Sequence, residues 1–264
     1  MGFADIIYQK DGAIAIIKIN RPKVLNAVRD QVWREISVAL ADAKEDNSVR
    51  ALIITGEGRA FSVGADIKEL GQFFSGKINF LEVRENVLRM QRVTREIMSL
   101  PKPVIAAVNG YAMGAGAEIA IACDFRIASE NAVFGFPEVK VGLLETNGVT
   151  HILPRLVGLG KAKELMMTGD EIDANEANRI GLVERVVPHQ SLMEEAKKFG
   201  EKIAANAPLS VSLVKACLNK GAETDLETAL LCETEALMAC SFTEDVREGA
   251  LAFLENRKPA FMGK

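Results

Sequence analysis

The chain is poor in the residues that most often carry metal, redox or nucleophilic chemistry. Its 264 residues include two histidines, His151 and His189, and four cysteines, Cys123, Cys217, Cys232 and Cys240. No cysteine pair has Cys-x-x-Cys spacing and neither histidine has a histidine partner at ligand spacing, so no metal site is expected. So few cysteines in a chain of this length read as reduced thiols in a cytoplasmic compartment. No apolar run reaches the roughly 20 residues that a membrane helix needs, so no membrane partner is expected. The segment Met1–Asp5 lacks a basic stretch leading into an apolar one, and Ile6 stands where a myristoylation signal needs Ser or Thr. Neither a signal peptide nor a lipid anchor is therefore expected. Phosphate-loop and esterase signatures are also missing. Gly56-Glu57-Gly58 and Gly114-Ala115-Gly116 each lack the third glycine of a dinucleotide fingerprint, with Phe61 and Ile119 in its place. Neither Ser62 nor Ser75 lies in a Gly-x-Ser-x-Gly elbow. A formal net charge of −4 argues against nucleic acid as a partner. The arginines Arg84, Arg89, Arg92 and Arg95 are interleaved with Glu82, Glu85 and Glu96, the pattern of a solvated helix face.

What is present is apolar patterning. Hydrophobic residues make up 48% of the chain, enough for a well-filled core. Segments 13–20, 51–55, 104–108, 125–128 and 132–134 read as strands, and 183–187 as a last strand before Pro188. Between them the spacing of Val32, Ile36, Ala39, Leu40 and Ala43 predicts a helix. Residues 79–100 predict a long helix halted by Pro101 and Pro103, and 116–123 a short apolar one. Alternating strands and helices predict an α/β core. Past residue 190 the pattern is helical only. Ser191 with Glu194 and Thr224 with Glu227 fit capping boxes, and Pro208 fits the first turn of a further helix. The expected organisation is an α/β core over 1–190 and a helical C-terminal region over 191–264.

Three segments remain chemically informative: 60–70 (Ala-Phe-Ser-Val-Gly-Ala-Asp-Ile-Lys-Glu-Leu), 108–119, and 134–143 containing Phe134-Gly135-Phe136-Pro137-Glu138. In the second, a buried strand runs through a glycine turn into a helix of small residues. The first N–H groups of such a helix have no intrahelical acceptor and lie at the positive end of its dipole. Small side chains at 114–117 let a ligand oxygen approach that backbone, which makes an oxyanion site. Glu118 stands in this first turn amid Ala, Ile and Ala, and Glu138 follows Pro137 among apolar neighbours. Alone, each has an ordinary reading, a first-turn acid and a loop acid. Near one oxyanion site, two carboxylates can divide acid and base work if their surroundings separate their pKa values.

Taken together and in this order, the segments resemble the crotonase (enoyl-CoA hydratase/isomerase) superfamily. The likeness runs from Asn20-Arg21-Pro22-Lys23-Val24-Leu25-Asn26-Ala27 to Arg247-Glu248-Gly249-Ala250-Leu251-Ala252-Phe253. The resemblance implies a spiral of β-β-α units in an α/β fold, with C-terminal helices that build a homotrimer or a hexamer of two trimers. It implies an acyl-CoA substrate, CoA arriving as part of that substrate, and no separate cofactor. The backbone N–H groups of Ala65 and Ala115 match the two oxyanion donors; alanine at 115 stands where hydratases commonly have glycine. Glu118 and Glu138 match the catalytic glutamates. Lys23, Val24 and Leu25, with Ala65, Asp66, Ile67, Lys68 and Ala115, match the segments that cradle CoA. The implied activity is syn addition of water to a trans-2-enoyl-CoA. The alternatives are an isomerase, a C–C lyase or hydrolase on an aromatic or alicyclic acyl-CoA, a non-catalytic acyl-CoA-binding subunit, and an RNA-binding relative. The last is disfavoured because helix 29–44 is not lysine-rich. Two positions depart from the pattern. Glu145 adds a third carboxylate where hydratases have a Pro-Gly-rich stretch, and Asn256 stands where some have a lysine near the CoA phosphates.

Overall fold

In the computed structural model, residues 2–74 and 79–264 are described. An antiparallel hairpin, β1 (Ile6–Asp11) with β2 (Ile14–Ile19), leads through α1 (Asp30–Glu45) into a repeated unit. Each unit is a buried strand, a short strand and a helix. The first is β3 (Ala51–Gly56), β4 (Ala60–Ser62), α2 (Ile67–Phe74) and α3 (Phe80–Ser99). The second is β5 (Val104–Val108), β6 (Tyr111–Met113) and α4 (Ala115–Ala122). The third is β7 (Phe125–Ser129), β8 (Val133–Gly135), a 3-10 turn at Glu138–Val141, α5 (Val149–Val157) and α6 (Leu159–Thr168). Then follow β9 (Ile172–Asp173), α7 (Ala174–Arg179), β10 (Arg185–Val187) and the helices α8 (Leu192–Ala204), α9 (Pro208–Gly221), α10 (Leu226–Ser241) and α11 (Glu244–Leu254).

The long strands form one sheet in the order β1-β2-β3-β5-β7-β10, parallel from β2 onward, and the short ones a second sheet in the order β4-β6-β8-β9. Successive units therefore stack, so β4, β6 and β8 lie side by side and parallel. This stacking is the spiral expected from the resemblance, and it decides where the site is. The chain leaves β4, β6 and β8 at corresponding points, which brings residues 63–66, 114–118 and 136–138 together although they are far apart in sequence.

Central strands of a parallel sheet are covered on both faces and so read as unbroken apolar runs. β3 and β5 are buried throughout. One face packs Leu52, Ile54, Val104 and Ala106 against α1, α3 and α4; the other packs Ile14, Ile16, Ile53 and Ile105 against Leu192, Ala196 and Ala204 of α8. The first helix after residue 190 thus closes the back of the large sheet. By contrast α9 and α10 contain no fully buried residue, and Val214, Leu218, Leu231, Leu237, Phe242, Phe253 and Leu254 are exposed along the C-terminal region.

Several local expectations shift. Ser191 makes no capping bond, because a 3-10 turn at His189–Ser191 already holds it in helical conformation. The cap of α10 is Asp225 rather than Thr224: its extended backbone lets the carboxylate accept from Thr228 N at 3.0 Å. The last strand begins at Arg185, not Val183, since the Leu182 and Val183 N–H groups donate to Ala177 O at the end of α7. Strands β1, β4, β6 and β9 were not expected. The outer strand β1 is largely polar, and the other three are too short to show a period.

Candidate active site

Gly64 and Gly114 let the chain segments after β4, β6 and β8 approach closely. Gly114, at φ +47° and ψ −122°, turns the chain out of β6 into α4 in a region open only to glycine, and a Cβ there would collide with Glu138 Oε1. Gly64, at φ +93°, lies so close to the neighbouring unit that a Cβ would stand 2.9 Å from Met113 O and 3.5 Å from Ala115 N. These contacts set the 64–65 backbone against the start of α4. The loop is fixed from its other side, where Val28 N donates to Gly64 O at 2.7 Å and Asp66 N to Val28 O at 2.9 Å. The Ala65 N–H between them has no acceptor among the described residues, and neither has Ala115 N–H at the first position of α4. Two backbone donors are thus left for an outside oxygen.

Glu118 lies one turn into α4, buried at 3% exposure. Its Oε1 accepts from Thr146 N at 3.0 Å and Asn147 N at 3.4 Å, and its Oε2 from Asn147 Nδ2 at 2.6 Å. Burial raises its pKa, and these three donors, which favour the ionised form, oppose that rise. Glu138 opens the 3-10 turn after β8, with Oε1 beside Gly114 and Oε2 sealed from solvent. No N–H from another described residue supports it. Burial, with Glu118 and Glu145 as negative neighbours, pushes its pKa up to about 8. The two glutamates therefore differ in their partners: three N–H donors favour the ionised form of Glu118, and none from another described residue favours that of Glu138, the kind of difference that acid/base division uses.

The residues matched to the CoA cradle are also brought together. Lys23 and Val24 are exposed on a 3-10 turn, and Leu25 follows at φ +52°. Leu25 O accepts from Val63 N at 3.1 Å, joining this turn to the 63–68 loop. Arg21 Nη1 reaches Asp66 Oδ2 at 2.8 Å, and Asp66 Oδ1 accepts from Lys68 N at 3.0 Å. Burial works against the Asp66 charge, but Arg21 and the Lys68 N–H hold its pKa below the ordinary value. Ile67 and Lys68 face solvent at the start of α2. Asp66 thus ties the loop down instead of facing outward. Two clefts, of about 460 Å³ around Thr146–Ile152 and about 540 Å³ under α9, open elsewhere, and neither is lined by Ala65 or Glu138.

Asn147 and Thr146 were not singled out from sequence. Asn147-Gly148 marks a turn before α5, but its aim at Glu118 depends on how the third unit packs on the second. Gln91 Nε2 of α3 steadies that turn by donating to Thr146 O at 2.9 Å. Hydrogen bonds to a charged group contribute about 1.5–3 kcal/mol. Asn147→Ala is therefore expected to lower kcat by about tenfold to a hundredfold. It should also move the acid limb of the pH–rate profile to higher pH, because Glu118 loses donors that favour its anion. Steady-state kinetics between pH 5 and 9 check both.

The backbone N–H groups of Ala65 and Ala115, without an acceptor among the described residues, thus lie on loops shared with Glu118 and Glu138. The model of enoyl-CoA hydratases and isomerases matches residues 9–264. The chain belongs to the enoyl-CoA hydratase/isomerase family. Within that family it is 44% identical to the short-chain-enoyl-CoA hydratase of Clostridium acetobutylicum, over 98% of this chain and 97% of that one. It is 45% identical to the crotonyl-CoA hydratase of Syntrophomonas wolfei over the full length of both. The crystal structure of the Bacillus anthracis enoyl-CoA hydratase superposes with a TM-score of 0.94 at 39% identity, covering 99% of this chain and all of that one. The crotonase fold, with its C-terminal helices, is common to this family member and those structures.

Proposed function

We propose that this hydro-lyase adds water to short-chain trans-2-enoyl-CoA thioesters, giving 3-hydroxyacyl-CoA. The observation that carries this reading is the pair of backbone N–H groups at Ala65 and Ala115, unpartnered among the described residues, on the loops that also carry Glu118, held by three N–H donors, and Glu138, beside Gly114. The thioester oxygen accepts from both N–H groups, which makes C3 electrophilic. Glu118 takes a proton from water as its oxygen bonds to C3. The C2–C3 π pair moves to the thioester oxygen as an enolate held by the two donors. The enolate then collapses as the Glu138 proton passes to C2, both additions coming from one face. Water supplies the hydroxyl group, and its proton on Glu118 replaces the one Glu138 gave up, so acid and base are restored by one proton exchange. Each oxyanion donor contributes about 3 kcal/mol to such a step. Addition of water is redox-neutral and the backbone donors supply the polarisation, so CoA itself is the only carrier the reaction uses. Lys23–Leu25 and Ala65–Lys68 hold it, the exposed Lys23 and Lys68 facing its phosphates. The decisive assay is loss of the conjugated absorbance of crotonyl-CoA and longer enoyl-CoAs with product identification. A shifted double bond or a shortened acyl chain in place of 3-hydroxyacyl-CoA overturns the hydratase reading.

The working form is a homotrimer or a dimer of trimers. The support is the exposed apolar surface of the C-terminal helices, Leu218, Leu231, Leu237, Phe242, Phe253 and Leu254, too much for a monomer to leave in water without a reason. Light scattering at micromolar concentration is expected to give three or six times the 28.6 kDa of one chain; a stable monomer contradicts it. The four cysteines are free thiols, in keeping with work in the cytoplasm.

A further inference from the structure

Glu145 lies on the loop between the 3-10 turn of Glu138 and α5, at 4% exposure. Both its carboxyl oxygens are buried without a hydrogen-bond partner among the described residues, and so is Oε2 of Glu138. The two carboxyl groups are within hydrogen-bonding reach of each other. Two carboxylates only accept, so as anions they leave these buried oxygens orphaned and repelling one another. Among the described residues no cation pairs with them. Lys140, on the same turn as Glu138, reaches away to Asp170 at 3.3 Å. From α4 the neighbouring charged group is Glu118, another acid. Glu171, before β9, is a further acid, packed beside Gly135. One proton between Glu138 and Glu145 resolves the arrangement, turning a repulsive contact into an O–H···O bond.

We propose that Glu145 is a positioning residue of this site, sharing a single proton with Glu138 and so holding Glu138 in its acid form beside the substrate. Glu145 does not itself meet the substrate; it acts through Glu138. The pair releases its protons in two steps that belong to both groups, and between them carries one proton. Burial raises both groups, and the neighbouring Glu118 and Glu145 charges raise Glu138 further, while the contact with Glu138 favours the charged form of Glu145. When Glu138 gives its proton to C2, the pair is left doubly charged, which pulls the replacement proton back from Glu118 by way of water. The proposal rests on the hydratase reading for its role, but not for its existence, because the shared proton belongs to the resting enzyme.

The test compares Glu145→Gln, which keeps the shape and removes the charge, with Glu145→Asp, which keeps the charge. In parent enzyme, kcat for crotonyl-CoA is expected to fall as pH rises through about 8, the value at which Glu138 loses its proton. In Glu145→Gln that limb moves to lower pH by about tenfold in proton concentration or more. In Glu145→Asp it stays within about half that distance of the parent. Infrared difference spectra taken without substrate give the second readout. The protonated-carboxyl band titrating near pH 8 in the parent shifts to lower pH in Glu145→Gln. A band and an alkaline limb unmoved by Glu145→Gln, in protein with parental circular dichroism, overturn the proposal. Parent enzyme that shows the band but does not hydrate enoyl-CoA overturns the hydratase reading and leaves the shared proton standing.

Discussion

Glu138→Gln is expected to lower kcat for enoyl-CoA hydration about a thousandfold, with Kd for the acyl-CoA changed by less than about threefold. The amide fills the space of the carboxyl group beside Gly114 but holds no proton acidic enough to pass to an enolate carbon. Binding should survive, because the thioester oxygen is held by Ala65 and Ala115 and CoA by the 23–25 and 65–68 loops. Stability should not fall. A carboxyl group whose folded pKa is about 8, against roughly 4.3 when unfolded, contributes most to stability below the unfolded value. That contribution is lost as pH rises toward 8. Glutamine has no such loss, so the Tm of Glu138→Gln relative to parent should improve from pH 5 to pH 8. Stopped-flow kinetics, titration with a non-reactive acyl-CoA and calorimetry at the two pH values separate these effects. Near-parental turnover by the folded variant removes Glu138 from the mechanism.

The same residues show what the sequence discloses and what it withholds. β3 and β5 were legible because central parallel strands are apolar on both faces, and α4 because a glycine turn must precede a helix whose first N–H groups are left open. Glu118 and Glu138 stood out as acids in apolar surroundings, and the resemblance joined them before any geometry did. Their unlikeness was not legible. Glu118 draws its donors from Thr146 and Asn147, 28 and 29 residues away, and Glu138 draws none from any other described residue. The stacking of the units makes that difference, and no local period encodes it. Of the short strands that align the three motifs, β8 was read from its apolar residues, but β4 and β6, with three residues each, leave no pattern to read. Asp66 was legible only as part of a loop matched to the CoA cradle; its ion pair with Arg21, which shapes that loop, comes from the structure. Glu145 was visible as a departure, but only the structure seats its carboxyl group against that of Glu138.

Ala115→Pro is expected to leave a folded protein with kcat/KM reduced about a hundredfold to a thousandfold, while Ala115→Gly keeps activity near parental. Proline removes one N–H, and at this position that N–H has no acceptor within the fold, so the helix loses no hydrogen bond. Proline is well suited to the first position of a helix, and Gly114 before it, without a Cβ, tolerates the ring. A purely structural account therefore predicts little effect, or a loss of Tm and activity together. The oxyanion account predicts loss of activity alone, since the thioester enolate keeps only the Ala65 donor. Glycine at 115 keeps the donor and costs no more than about 1 kcal/mol of helix propensity. Circular dichroism and Tm establish that the proline variant is folded, and kcat/KM for crotonyl-CoA then decides. Parental turnover in folded Ala115→Pro means that the carbonyl does not dock at the start of α4, and the whole placement of the substrate between β4 and β6 fails with it.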